Sequence, residues 1–522
     1  MNLNTSELPA DVEELRAIIA CLTEKNQHLE DYVRLLKKEL FGRKTEKLPK
    51  EDVRQMRLFD EAEAVVEEEV SSQAIVVEKH ARRKPGRKPL PKELPRVEVI
   101  HDLSESEKIC ACGAPLSRIG EEVCEKLDII PADIRVMRHV RPRYACKSCQ
   151  GTEDNAKAVK IAPPAVQIIP KSIVSPGLLA HIVIAKFEDA LPFYRQTKIF
   201  SRIGVDVSRA NMANWAVQAS VRCELLLSLM QEEIRGGPVA SIDETTVQVM
   251  KEPERANTTK SYMWVFRGGT PEHPTIAYLY SPSRSGDVPK DYLKGFRGWI
   301  QTDGYVGYEA LACEPGIEHA GCWAHVRRNF HDVVKASAGE GRKGYAAEAL
   351  ETIGRLYGIE RDADQLKMDP NQRCELRQDR AVPILNQFKT WLEELAIKTP
   401  PKGLLGKAVN YALNRWKTLV AYTRNGLVRI DNNLTENAIR PFVVGRKNWL
   451  FSGCPRGAAA SASLYSLIET AKANGLNPYF YLRHLFEQLP LAQSREECKR
   501  LLPQYVDRTQ IPTADSLRVG FI

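Results

Sequence analysis

The chain has 522 residues, which at about 150 per domain implies three or four domains rather than one compact core. Apolar residues make up 43% and charged ones 27%, ordinary globular usage that excludes wholesale disorder and collagen-like repeats. Lys plus Arg (75) exceed Asp plus Glu (67) only mildly, so polyanionic partners must be sought in how the charge is distributed. No apolar run reaches 18 residues: Val174 to Phe187 is broken by Pro176 and His181, and no bilayer span is expected. The opening MNLNTSELPADVEEL has no basic-then-apolar leader, so a cytoplasmic location is expected. Twelve cysteines are too sparse for a disulfide scaffold, and clustered ones point to metal.

Leu8, Leu15, Leu22, Leu29 and Leu36 recur every seventh residue, and Val12, Ile19, Asn26, Val33 and Leu40 each follow by four. This spacing predicts a coiled coil with leucine at d, in which Asp11 with Arg16 and Lys25 with Glu30 supply opposite charges at g and e. Asn26 alone interrupts the apolar a series. A buried Asn is tolerated where its twin faces it, so the heptads predict a parallel homodimer; the alternative is an amphipathic helix packed on its own domain.

From Lys79 to Arg96 the chain carries eight Lys or Arg against one acid, interspersed with Pro85, Pro89, Pro91 and Pro95, and cannot build a core. Arg82, Arg83, Lys84, Arg87 and Lys88 form a basic arm that loosely matches a minor-groove AT-hook, although Lys88 separates Arg87 from Pro89; a solvated linker reads equally well. Next come Cys110, Cys112 and Gly113, then 32 residues, then Cys146 and Cys149. Two close thiolate pairs suit one tetrahedral structural zinc, with Cys124 the rival ligand and four unrelated buried thiols the alternative. Arg135, Arg138, Arg141, Arg143 and Lys147 give this ribbon a positive face suited to phosphates.

Residues 176 to 219 read as successive short helices, the last entered through a turn at Gly204 and capped by Ser208. Exposed Arg209, Asn211 and Asn214 suit a helix-turn-helix recognition helix, although any small helical subdomain has the same pattern.

After Gly237 the stretches 239–250, 262–266 and 275–280 predict three antiparallel strands. A short helix at 286–294, a strand over 298–305, a helix at 306–311, a strand at 317–320 and a helix from Trp323 complete the order of a ribonuclease-H-like domain. In that order Asp243 falls in the middle of the first strand and Asp303 at the end of the adjacent fourth. An ionised carboxylate among Val239, Ala240 and Ile242 is costly unless paired, and two adjacent carboxylates invite a divalent metal. Read singly, they are equally a strand-edge and a turn aspartate. Glu244 is expected on the opposite face. A third acid is offered by Glu436 in AspAsnAsnLeuThrGluAsnAlaIleArgPro at 431 to 441. Asn433 as N-cap with Glu436 three residues on also fits a capping box, and Asp431 competes for the ligand role.

Further motifs are LeuPheGlyArgLysThrGluLys at 40 to 47, LeuProPheTyrArgGln at 191 to 196, AspGluThr at 243 to 245, AspGlyTyr at 303 to 305, CysTrpAlaHisValArgArgAsnPhe at 322 to 330 and GlyArgLysAsnTrpLeuPhe at 445 to 451. With these, in this order, the chain resembles insertion-sequence family 66 transposases over nearly its whole length. The resemblance implies a DDE transposase whose Asp243, Asp303 and Glu436 form the catalytic, Mg²⁺-binding triad of a two-metal site. It also implies an insertion between the second and third acids, which fits the 132 residues between Asp303 and Glu436; residues 340 to 416 read as helical. Cys322 and His325 form a Cys-x-x-His pair that other DDE families share, read as active-site support or as a helix with one buried thiol and one half-exposed His. Arg327, Arg328, Arg440, Arg446 and Lys447 are candidate phosphate clamps, and Asn437 stands where some relatives carry Arg.

The expected fold is multidomain α+β. It comprises a coiled-coil dimerisation helix (1–48), a charged linker with the basic arm (49–97), a four-cysteine zinc-binding ribbon (98–165) and a helical HTH-like DNA-binding domain (166–236). A ribonuclease-H-like α/β catalytic domain in two parts (237–339 and 421–475) then surrounds a helical insertion (340–420), and a C-terminal helical tail (476–522) follows. The expected function is Mg²⁺-dependent cleavage of insertion-sequence ends and strand transfer of the freed 3′-hydroxyl into target DNA. Expected partners are structural Zn²⁺, double-stranded DNA, a second copy or higher oligomer and small helper proteins of the same element, in a bacterial, nucleoid-associated setting without membrane. The alternative is a non-catalytic, zinc-containing dimeric DNA-binding regulator whose acids are structural.

Overall fold

The computed structural model describes residues 165–336 and 344–511, together with residues 134, 136 and 137 and two three-residue strands. The heptad leucines with Asn26, the arm residues Arg82, Arg83, Lys84, Arg87 and Lys88, and Cys110, Cys112, Cys124, Cys146 and Cys149 lie outside the described residues. The chain divides into two compact units, residues 70–165 and the remainder. In the smaller unit β1 (Arg143–Ala145) pairs antiparallel with β2 (Val159–Ile161), Tyr144 opposite Lys160.

The larger unit is built on one sheet of β3 (Val239–Gln248), β4 (Lys260–Gly269), β5 (Pro274–Ser281), β6 (Gly298–Gln301) and β7 (Ile317–Ala320). The first three form an antiparallel meander, β6 and β7 run parallel to β3, and the order across the sheet is β5-β4-β3-β6-β7. All five strands form where β-branched and aromatic residues predict them. Ala240, Ile242, Trp264, Phe266 and Ile300 are buried together in one cluster, whereas Val247, Met263, Val265, Ile276 and Tyr278 belong to another. Successive side chains alternate between faces, so Asp243 and Glu244 part company, as the sequence parity requires.

Among the described residues four helices precede the sheet: α1 (Pro176–Phe187), α2 (Phe193–Arg202), α3 (Arg209–Arg222) and α4 (Glu224–Gly236). Gly204 takes φ 81° in the turn before α3, and the Ser208 hydroxyl accepts the Asn211 N–H at 3.1 Å, which satisfies one orphan donor of the first turn. Arg209, Asn211 and Asn214 are exposed, while Met212, Trp215, Ala216 and Ala219 are buried.

Between β5 and the next long helix lie α5 (Asp287–Tyr292) and α6 (Glu309–Ala312), followed by α7 (Trp323–Ala336). Then come α8 (Tyr345–Gln365), α9 (Pro370–Leu376), α10 (Val382–Lys398), α11 (Leu404–Asn414) and the short α12 (Trp416–Leu419). Ile353, Leu356, Leu385, Phe388, Leu392 and Val409 share a second core with Trp323 and Phe330 of α7. At the centre of this helical insertion Arg377 is 0% exposed. It donates to both oxygens of Glu360, at 2.7 and 2.6 Å, and to the carbonyls of Tyr422 and Asn425, at 2.7 and 2.8 Å.

The chain ends in α13 (Asn433–Trp449), α14 (Pro455–Ala473), α15 (Pro478–Gln488) and α16 (Arg495–Arg500). Leu179, Ile182, Met212 and Leu226 lie in one buried cluster with Tyr465, Ile468, Leu482 and Phe486 and with sheet residues Met263 and Val265. The helices expected as a domain of their own at 166–236 therefore pack as a layer of the sheet unit, because their apolar faces are closed by α14, α15 and the sheet. Among the described residues no helix is long and apolar enough to cross a membrane.

Candidate active site

β3 carries Asp243, and β6, parallel to it, ends at Gln301 opposite Ser241. Asp303, two residues on, therefore arrives beside Asp243. Its Oδ1 accepts the Tyr305 N–H at 2.8 Å, which turns the chain at Gly304, where a Cβ would run into the Arg415 guanidinium. Arg415 in turn donates to the Gly304 carbonyl. The start of α13 is pinned to β3 by Asn432, whose side-chain amide donates to the Ile242 carbonyl at 3.0 Å. One turn later the helix presents Glu436.

The electrostatics bear the marks of crowded acids. Burial, then the charges of Glu436, Glu244 and Asp303, push the Asp243 carboxyl well above the usual range, against the Glu244 N–H on its Oδ1 at 2.8 Å. Burial also raises Glu436; His325 and Arg328 oppose the rise, and Asp431 and Asp303 add to it. Like charges at close range disfavour joint ionisation unless a cation joins them.

The capping-box expectation for Glu436 does not hold. Asn432, not Asn433, stands at the cap, no side chain caps the helix, and Asn433 is its first residue. The Asn433 side chain bonds Asp431 Oδ2 at 2.9 Å instead, and Glu436 Oε1 is buried without a hydrogen-bond partner. Asp431, the rival acid, is engaged by the Tyr357 hydroxyl at 2.8 Å and by the Asn433 N–H at 3.2 Å. Three carboxylates close enough to feel one another's charge, with one Glu436 oxygen free of hydrogen bonds, have the oxygen chemistry that a hard divalent cation such as Mg²⁺ prefers.

Cys322 and His325 stand beside the third acid: their donor atoms and a Glu436 oxygen lie within 4.8 Å of one another, with His325 Nδ1 3.8 Å from Glu436 Oε1. Burial, Glu436 and Asp431 push the Cys322 thiol well above its ordinary value, and its sulfur accepts the Asn432 N–H at 3.2 Å. That contact braces the entry to α13.

The remaining candidates are scattered. Arg446 donates to the hydroxyls of Thr245 and Thr246, both at 3.2 Å. Arg328 is half-buried beside Glu436 rather than open to solvent, Arg327 and Arg440 are half-buried, and Lys447 and Arg209 are exposed. Spacing did not reveal the shell around Glu244, which pairs with Arg284 at 2.5 Å and accepts from the Tyr308 hydroxyl. Nor did it reveal His319, bonded to the Thr302 hydroxyl at 2.8 Å and pushed down to about 4 by burial. Asn432 lay inside the AspAsnAsn motif, and a buried amide with a backbone partner is the role that such a motif could have suggested.

The model described as Transposase IS66 family matches residues 171–460. Those of the zinc-finger binding domain of transposase IS66 and the IS66 C-terminal element match residues 107–150, which contain both cysteine pairs, and 466–504. A fourth, Transposase C of IS166 homeodomain, matches residues 28–99. The uncharacterized protein y4jD of Sinorhizobium fredii (strain NBRC 101917 / NGR234) is 32% identical over 94% of this chain and 95% of its own length. Its companion y4qI is 31% identical over 95% and 92%. Matched by that family's model across the whole sheet that gathers the three acids, and by these relatives nearly end to end, the chain belongs to the IS66 transposase family.

Proposed function

We propose that the protein is a DDE transposase that cleaves the ends of its insertion sequence and transfers them into target DNA, on a ribonuclease-H-like catalytic domain. The observation that carries this reading is the nearness of Asp243, Asp303 and Glu436, from strand β3, the loop after β6 and helix α13, with a buried Glu436 oxygen that takes no hydrogen bond. The mixed strand order β5-β4-β3-β6-β7 supports the fold assignment. Asp243, Asp303 and Glu436 would hold Mg²⁺, which would supply Lewis acidity to the attacking and leaving oxygens of an in-line displacement. Asn432 holds the third acid against β3, and the Arg284–Glu244–Tyr308 cluster fixes the strand from the opposite face. Arg446 and Lys447 offer forked and point charges to phosphates of the bound duplex away from the scissile bond. The heptads at 8–40 support a parallel homodimer that brings two such sites to two ends.

The test is nicking of a duplex carrying the terminal repeat by the full chain with Mg²⁺. Glu436→Gln keeps the shape of the side chain and removes its charge. It is expected to slow cleavage by about 10³-fold or more while DNA affinity changes little. Cleavage near the parental rate by that variant would remove Glu436 from the triad, and a parent that binds the repeat without nicking it would favour the non-catalytic regulator.

Cys110, Cys112, Cys146 and Cys149 are proposed to hold one structural Zn²⁺ in the zinc-finger region, since two thiolate pairs are a complete tetrahedral donor set. Metal analysis is expected to find one zinc per chain. Cys146→Ser should lose it together with most repeat binding, with nicking lost as a consequence; full zinc retention in that variant would refute the ligand set.

A further inference from the structure

Helix α13 does not end on a glycine. Leu450, the residue after it, takes φ 66° and ψ −49°, and the Phe451 N–H donates to the Trp449 carbonyl at 2.8 Å. Together these close a three-residue γ-turn of the rare, strained hand, a costly conformation for any residue with a side chain. The turn leaves Leu450 65% and Phe451 46% exposed, side by side.

The backbone is clamped on both sides of the strained residue. The Leu450 N–H bonds the Arg446 carbonyl at 2.7 Å, the Ser452 N–H bonds the Gln248 carbonyl at 2.9 Å, and the Ser452 carbonyl accepts the Met250 N–H at 2.9 Å. This ties the tip to the end of β3, the strand that carries Asp243. Two large apolar side chains are thus held outward by a rigid, strained backbone, and an observed outlier of this kind points to a site.

Its rim is cationic. Arg446, one turn earlier, reaches Thr245 and Thr246, Lys447 and Arg456 are exposed, and Arg195 bonds Asn448 Oδ1 at 3.1 Å. Phosphates are the natural complement of such a rim, and a two-residue apolar tip is too small for a stable protein interface. Leu and Phe are also side chains that pry base steps apart.

We propose that Leu450 and Phe451 form a wedge that enters the transposon-end duplex and unstacks one base step. The 14 residues from Glu436 to Leu450 span about 21 Å of helix, so the step lies about six base pairs from the scissile phosphate at about 3.4 Å per step. The proposal rests on the reading of the triad as a DNA-cutting centre.

The experiment places 2-aminopurine at successive positions of a terminal-repeat duplex and follows its fluorescence when the full chain binds, before Mg²⁺ is added. One position, about six base pairs from the nick later mapped in the same duplex, should brighten. In the double variant Leu450→Gly, Phe451→Ala this brightening should fall about fivefold or more. The melting temperature should stay level or rise, because glycine relieves the positive φ. Brightening that survives in the double variant overturns the wedge. So does a parent that binds and nicks the duplex with no position brightening, an outcome that leaves the cutting centre standing. A double variant that alters only self-association in sedimentation, with fluorescence unchanged, also overturns it in favour of a contact between copies. A parent that neither binds nor nicks the repeat takes both readings down together.

Discussion

Asp243→Asn is expected to abolish strand cleavage, by about 10³-fold or more, while making the metal-free protein more stable. The two effects share one cause. The Asp243 carboxyl is held well above the usual carboxylate range by burial and by Glu436, Glu244 and Asp303. A carboxyl with a raised folded-state pKa binds its proton more tightly in the native chain than in the unfolded one. Its stabilising contribution is complete below the unfolded value of about 4 and is lost as pH climbs through the folded value. The metal-free parent should therefore lose melting temperature, relative to the Asn variant, as pH rises from about 4 to neutrality. Mg²⁺ should restore the parent and barely move the variant, since the anion that gathers the ion is gone. Thermal melts of the two chains at several pH values, with and without Mg²⁺, decide the matter. A variant that melts below its parent at neutral pH and still responds fully to Mg²⁺ would show Asp243 to be structural.

The largest loss of stability is expected far from the acids. Arg377→Ala should cost about 3–5 kcal/mol, because it takes two charged donors from Glu360 in the core of the helical insertion and leaves it to Arg373. Both Glu360 oxygens receive Arg377 donors, a third contact comes from Arg373 at 3.1 Å, and the Arg377 guanidinium lies 4.9 Å from the Tyr422 ring centroid. Removing the cation also releases the carbonyls of Tyr422 and Asn425, which close the loop leading back to the sheet. The double replacement Arg377→Met, Glu360→Leu should recover part of the loss, since the apolar pair removes both charges while Arg373 keeps its pairing with Asp364. Urea unfolding with a probe in the insertion, such as Trp391 fluorescence, reads this out as an early transition. A single variant within about 1 kcal/mol of the parent would mean that water or a shifted side chain takes over the guanidinium's role.

Sequence alone determined whatever depends on near neighbours. The alternation along 239–248 placed β3 and sent Asp243 and Glu244 to opposite faces; the Gly204 turn and Ser208 cap started α3; apolar spacing through Ile353, Leu356, Phe388 and Leu392 made the insertion helical. These are matters of backbone period and local hydrogen bonds, legible within a few residues. Only the tertiary structure removed the capping role from Glu436. The capping spacing is real, but Asn432 is drawn to the Ile242 carbonyl, 190 residues away in sequence, and no local rule contains that partner. The same holds for the pairing of Arg377 with Glu360, for the packing of 176–230 onto helices near the C-terminus, and for the strained turn at Leu450. Each depends on groups that meet only when distant segments close on one another. Burial then sets their energy, and a linear pattern of residue types carries no record of it.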